Sequence, residues 1–206
     1  MRPDRIPLFP LNVVLLPGAA LPLHIFEPRY RAMIKVCLEQ KSEFGILLSL
    51  PKGLARMGCT ARILEVLNRQ DDGSMDILTI GRAPFRVLQL ITEAALLEGH
   101  VEYLEDRDCK ASPAMHEELV ELYETCHTLV FGDYPKNLHA EAGLKPSYVI
   151  AGTLPLELGW KQQILESRSE ADRQARLVAY LRDLAPHLEK AASIRQRAAG
   201  QGHGLN

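Results

Sequence analysis

No stretch of this 206-residue chain reaches the ~20 consecutive apolar residues that a membrane-spanning helix needs, so no membrane span is expected. Neither sign of charge dominates: 24 Lys and Arg against 26 Asp and Glu leave a net charge of −2. Nucleic-acid binders carry a basic excess or stripe, and this balance argues against one. Aromatic residues make up only 6% of the chain, with a single Trp, which is thin for a surface that stacks bases. The four cysteines, Cys37, Cys59, Cys109 and Cys126, are scattered and form no CxxC pair. Met1–Arg5 is charged, and the apolar residues after it are broken by Pro7, Pro10 and Pro17, unlike a secretory leader. Reduced, buried thiols and a cytoplasmic location are therefore expected.

Catalytic templates are also missing. The sequence has no GxxxxGK[ST] phosphate loop and no GxSxG elbow. Gly200, Gly202 and Gly204 neither follow a strand nor open a helix, so they are not a dinucleotide loop. His116-Glu117-Glu118 begins like a zinc-protease helix, but Val120 occupies the place of the second histidine. Cys126-His127 has the residue types of a nucleophile and base. On a helix, however, adjacent side chains diverge by about 100°, so a core cysteine beside a surface histidine is expected. The seven histidines form no local cluster with metal-ligand spacing. No catalytic residue, cofactor or metal is expected.

What is present is an ordinary globular composition, 47% hydrophobic and 24% charged, long enough for one or two domains. The front half reads as short strands: Ile6–Pro10, Val13–Leu16, Phe44–Leu50, Ala61–Leu67, Ser74–Ile80, Phe85–Ile91 and His100–Leu104. Pro17-Gly18 marks a turn, and Asp72-Gly73 between two apolar runs marks a hairpin. One helix interrupts the strands, from Pro28 to Gln40, with Tyr30, Met33, Ile34, Cys37 and Leu38 on its apolar face. The pattern changes at Ser112-Pro113, a cap followed by a first-turn proline. Met115, Leu119, Leu122, Cys126 and Leu129 then recur at helical steps up to Gly132. Shorter helices are expected over Ser147–Leu154 and Leu156–Ser167. A last helix starts at Ser169-Glu170-Ala171-Asp172 and carries an apolar stripe of Leu177, Leu181, Leu184 and Leu188. Arg173, Arg176, Arg182 and Lys190 alternate with acidic residues, as on a wet face. Pro186 is a point at which to kink or shorten that helix.

Pro7-Leu8-Phe9-Pro10-Leu11, Leu16-Pro17-Gly18 and the run Leu21–Tyr30 together resemble the amino-terminal domain of the Lon protease family. That domain recognises substrates, and it also occurs in cereblon and in stand-alone proteins. The resemblance continues through Phe44-Gly45-Ile46, Gly58, Ala61, Ile63, Asp72-Gly73, Gly81 and Phe85-Arg86, and later Leu154-Pro155-Leu156, Lys161-Gln162 and Leu165-Glu166. Pro84 departs from it, standing where the family has an Arg. A proline there is expected at a sheet edge or strand entry.

The resemblance implies an α+β protein, a PUA-like β-barrel followed by an α-helical bundle. The barrel is expected over residues 1–111, the bundle over 112–198 and a flexible tail over 199–206. It implies a non-enzymatic protein-binding module, or an adaptor, for unfolded or exposed protein segments, with a separate protease among the candidate partners. Affinity would come from apolar contacts and strand addition at a sheet edge. The alternative is an RNA-binding module on the same barrel. Leu21, Leu23, Ile25 and Phe26 are expected in the core, with His24 among them as a hydrogen-bonded structural residue. Glu27, Arg29 and Tyr30, at the entry of the first helix, are the candidate protein-binding surface.

Overall fold

A computed structural model describes residues 2–92, 96–107, 111–135 and 143–201. Its strands are β1 (Arg5–Leu11), β2 (Ala20–Ile25), β3 (Phe44–Leu50), β4 (Gly53–Arg69), β5 (Met75–Ile91) and β6 (Glu98–Tyr103). Helix α1 (Pro28–Gln40) lies between β2 and β3. Helices α2 (Pro113–Phe131), α3 (Pro146–Thr153), α4 (Leu158–Glu166) and α5 (Glu170–Gln201) follow the last strand. The local signals act where expected. Pro28 opens α1, and the Ser112 side chain accepts from the Met115 N–H at the start of α2. Gly132, with φ of 81°, ends α2.

The strands form one mixed sheet in the order β2-β5-β4-β3-β1-β6. Only β1 and β3 run parallel. Because β5 also pairs with β6, the pairings β1–β3–β4–β5–β6–β1 run in a circuit, and the sheet curls back on itself as a barrel. β2 stays outside the circuit, paired only with the first half of β5. This is the α+β architecture that the sequence implies.

Glycines let the curl close. A Cβ on Gly45 or Gly58 would lie 2.7 or 2.8 Å from the tip of the Phe85 ring, so the two bare backbones make room for that ring. Phe85 joins Ile6, Leu8, Leu47 and Val101 in a small core inside the circuit. A larger core joins the sheet to the helices. Phe9, Phe44, Ile46, Cys59 and Ile77 share it with Met33 and Ile34 of α1, and with Leu119, Ile150, Ile164 and Leu177 of the later helices.

Several expectations need correction. Val13–Leu16 is not a strand, although Leu15 and Leu16 are buried. Ser74–Ile80 and Phe85–Ile91 are not separate strands. Residues 75–91 form one strand whose first half pairs with β2 and whose second half pairs with β6. Pro84 lies in the middle of β5, between these halves. Its carbonyl accepts from the Leu104 N–H just beyond the end of β6, so its missing donor breaks no ladder. Phe26 is 60% exposed rather than core. Leu21 and Leu23 are half-buried, and Ile25 is buried.

On α5, Leu177 and Leu181 are buried while Leu184 is half-buried. The helix runs through Pro186 to Gln201, beyond the expected start of the tail. Residues 202–206, Cys109 and residues 136–142 of the expected polar connection lie outside the described residues.

Candidate functional site

The expected surface residues meet at the start of α1. Glu27 is the N-cap by backbone geometry, its carbonyl accepting from the Tyr30 and Arg31 N–H groups at 3.0 Å each. Its carboxylate caps nothing and instead accepts from Arg29 Nε at 2.9 Å. The Arg29 guanidinium also lies over the Tyr30 ring, 4.6 Å from its centroid. Tyr30 itself is buried, stacked on Phe9 with ring centroids 3.9 Å apart. Burial raises its hydroxyl pKa, and Arg29 partly opposes this. The three residues are therefore adjacent, but only Arg29 and Glu27 face open space, while Tyr30 is buried.

Arg29 is also one end of a groove of about 500 Å³ between β1, α1 and residues 96–98. On α1 the lining residues Arg29, Ala32, Val36 and Gln40 follow helical spacing and form one stripe. Ile6 and Pro7 of β1, with Met33 and Leu96, supply an apolar floor. Val36 is 46% exposed. The rim is charged and already paired. Arg5 Nε donates to Glu98 at 2.6 Å, and Glu43 accepts from Thr60 Oγ1 at 2.6 Å. An apolar floor with a neutralised polar rim accommodates hydrophobic side chains and lacks an unpaired charge that would demand a counter-ion. Sequence reasoning missed this groove. Its Val36 lies off the buried stripe of α1, and Ile6 of β1 and Leu96, just before β6, come from distant parts of the chain.

The other candidates take structural places. His24 is exposed, with Nδ1 2.7 Å from Asp76 Oδ1, so it is hydrogen-bonded as expected but not buried. Cys126 is buried, and burial raises its thiol pKa. His127 is not a surface residue: its side chain is 12% exposed, 3.0 Å from the Asp133 carbonyl and ringed by Tyr123 and Phe131. Among the described residues no group of three or more His, Cys, Asp or Glu side chains is placed to hold a metal. No helix among them is long and apolar enough to cross a membrane.

Arg173 overturns its expected place on a wet face. It is fully buried, the largest side chain to be so. Its Nη1 donates to Asp106 at 2.7 Å and to the Ser167 carbonyl at 2.9 Å, its Nη2 to Glu170 at 2.8 Å, and its Nε to Ser147 at 2.8 Å. The guanidinium sits 4.2 Å from the centroid of the Tyr148 ring. Glu170, also buried, accepts from Ser147 and Gln174. The Arg173 guanidinium and the carboxylates of Asp106 and Glu170 are paired within the protein, and only Gln174 Oε1 at its margin is buried without a partner among the described residues, so the ion network serves packing.

Comparisons with known proteins agree with this arrangement. A family model described as the ATP-dependent protease La (LON) substrate-binding domain matches residues 5–183. Lon protease of Parabacteroides distasonis is 28% identical over 211 aligned positions, covering 94% of this chain and 26% of that protein. Protein cereblon of Gallus gallus is 30% identical over 50% of this chain and 24% of its own length. The chain thus spans about a quarter of either relative. The crystal structure of a Lon N-terminal domain protein from Xanthomonas campestris superposes with a TM-score of 0.68 and 28% identity. It covers 85% of this chain and 98% of that one.

Proposed function

The chain belongs to the family of the LON substrate-binding domain, and from this we propose a non-enzymatic module that binds exposed apolar segments of unfolded proteins, in the cytoplasm, for a separate protease or as an adaptor. The observation that carries the reading is the groove along α1. It presents an apolar floor of Ile6, Met33, Val36 and Leu96 inside a rim whose charges are already paired. Such a surface takes up hydrophobic side chains through burial and is indifferent to sequence detail. Arg29, held by Glu27 and Tyr30, closes one end and offers a donor to a backbone carbonyl of the bound segment.

The RNA alternative draws less support. Arg173 is buried, and Arg182 is paired with Glu118 at 2.5 Å, which thins the C-terminal basic face. The two readings separate in a titration of the chain against a reduced, carboxymethylated protein and a structured RNA. Polypeptide affinity is expected to change less than about tenfold between about 50 and 200 mM salt, against ~10³–10⁵ for a binder making many phosphate contacts. Val36→Asp, which places a charge in the groove floor, is expected to abolish polypeptide binding without unfolding the chain. Salt-sensitive RNA binding with no polypeptide binding overturns the proposal.

A further inference from the structure

We propose that the splayed end of the barrel between β4 and β5 is a strand-addition slot for an extended, carboxylate-bearing polypeptide segment. The proposal rests on the reading that this chain binds polypeptides, but it concerns a second place on the molecule. The β4–β5 ladder stops at the pair Met57–Arg86. Beyond it Val87–Ile91 pairs with β6 alone, and Gly53 and Leu54 of β4 pair with β3 alone. Two strands of one sheet thus turn bare edges toward each other. A groove of about 340 Å³ lies between them, lined by residues 54–56 on one wall and 86–90 on the other.

A row of unpaired N–H and C=O groups is a template for another strand, and natural proteins normally cover or charge such edges. Here the β5 wall exposes two large apolar side chains, Leu88 at 63% and Leu90 at 43%, beside Arg86 and Gln89. Leu54 and Val87 are only partly buried, although they pack on the small core inside the barrel. An inserted strand supplies the missing backbone partners and covers that core, which is the physical basis of recognition by strand addition.

Charge selects the occupant. The residues lining the slot include Arg56 and Arg86 and no carboxylate. Arg86 is 3.6 Å from Glu102 on β6, and the Arg56 side chain has no hydrogen bond or ion pair with any described residue. A segment that carries both apolar and acidic residues sets apolar groups against Leu54 and Val87 and carboxylates against the two guanidinium groups. Like charges placed there are repelled.

The test uses the full chain and fluorescent synthetic peptides that alternate valine with glutamate, or valine with lysine. A third peptide has the glutamate sequence with alternate amides N-methylated, which keeps the side chains and deletes backbone donors. The glutamate peptide is expected to bind and to slow hydrogen exchange at the amides of residues 87–91. N-methylation is expected to abolish binding. Arg56→Glu, at an exposed site, is expected to shift the preference toward the lysine peptide by at least about tenfold. Binding that survives N-methylation, or protection that appears only along α1, overturns the slot. So does protection of the same amides without peptide in a sample that dimerises, which would make this end an interface between copies. The two sites fail separately. If Arg56→Glu changes nothing while Val36→Asp abolishes binding of unfolded protein, the slot falls and the groove stands. The reverse result removes the groove and keeps the slot.

Discussion

Arg173 shows how much a single side chain depends on its surroundings. In the sequence it stands three residues after Glu170 among alternating charges, the pattern of a solvated helix face. In the fold that face meets Asp106, Ser147 and Tyr148, and the guanidinium has no exposed surface. Burial lowers its pKa, but the hydrogen bonds it donates to Asp106 and Glu170 and the neighbouring Tyr148 outweigh this, so the net shift is upward. Removing one partner of a buried ion network leaves the others uncompensated and typically costs about 3–5 kcal/mol. Arg173→Ala is therefore expected to destabilise the chain by about that much in urea denaturation. A loss below about 0.5 kcal/mol, the usual surface value, would show that the network is solvated. Cys59 yields a second residue-scale prediction. Burial pushes its thiol pKa well above the ordinary value, which suppresses the reactive thiolate. Alkylation followed by mass spectrometry is expected to label Cys59 only after unfolding, and rapid native labelling would contradict its place in the core.

At the scale of elements, the most legible parts were those whose signals are local. Helix α1 runs from Pro28 to Gln40 and α2 from Pro113 to Phe131, because a first-turn proline and a spaced apolar face need no distant partner. Helix α5 shows where periodicity stops being informative. Leu181 and Leu184 belong to one apolar stripe, but only Leu181 is fully buried. Leu181→Ala is expected to cost about 2–5 kcal/mol, and Leu184→Ala distinctly less, measured in the same denaturation series. Equal losses would mean that the stripe is uniformly packed. The glycines of the strands carry a different message. A Cβ on Gly81 would fall 2.1 Å from the Leu16 carbonyl oxygen, a backbone atom that cannot swing aside. Gly81→Ala is expected to lower the thermal midpoint strongly, by the overpacking penalty of about 1–3 kcal/mol or more. An unchanged midpoint would show that the Leu16 segment yields. Such a glycine is visible in the sequence, but the atom it makes room for is not.

For the whole molecule, we propose that residues 1–111 and 112–198 are two parts of one cooperative unit. The larger core is continuous from Phe9 and Ile77 of the sheet to Leu119 and Leu177 of the helices. The Arg173 network adds a polar tie between the segment after β6 and α5, and the Arg107 N–H donates to the Arg168 carbonyl at 2.7 Å beside it. Trp160, the single tryptophan, lies on α4 and reports on the helices, while Cys59 reports on the sheet. Tryptophan fluorescence and Cys59 labelling are expected to give coincident urea transitions, the mark of two-state unfolding. Separated midpoints would establish two independently stable domains.

The sequence by itself determined the succession of strands then helices, the turns at Pro17-Gly18 and Asp72-Gly73, the ends of α1 and α2, and the family, through the run from Pro7 to Tyr30. These follow from backbone preferences and short-range periodicity, which act within a few residues. Tertiary structure alone decided the rest. It made one strand of residues 75–91 by giving it different partners along its length, and it placed Pro84 where no donor was needed. It buried Arg173, exposed Phe26, and assembled the apolar groove from β1, α1 and residues 96–98. Burial and concavity are properties of segments brought together from far apart in the chain, and only the packed molecule specifies which faces meet.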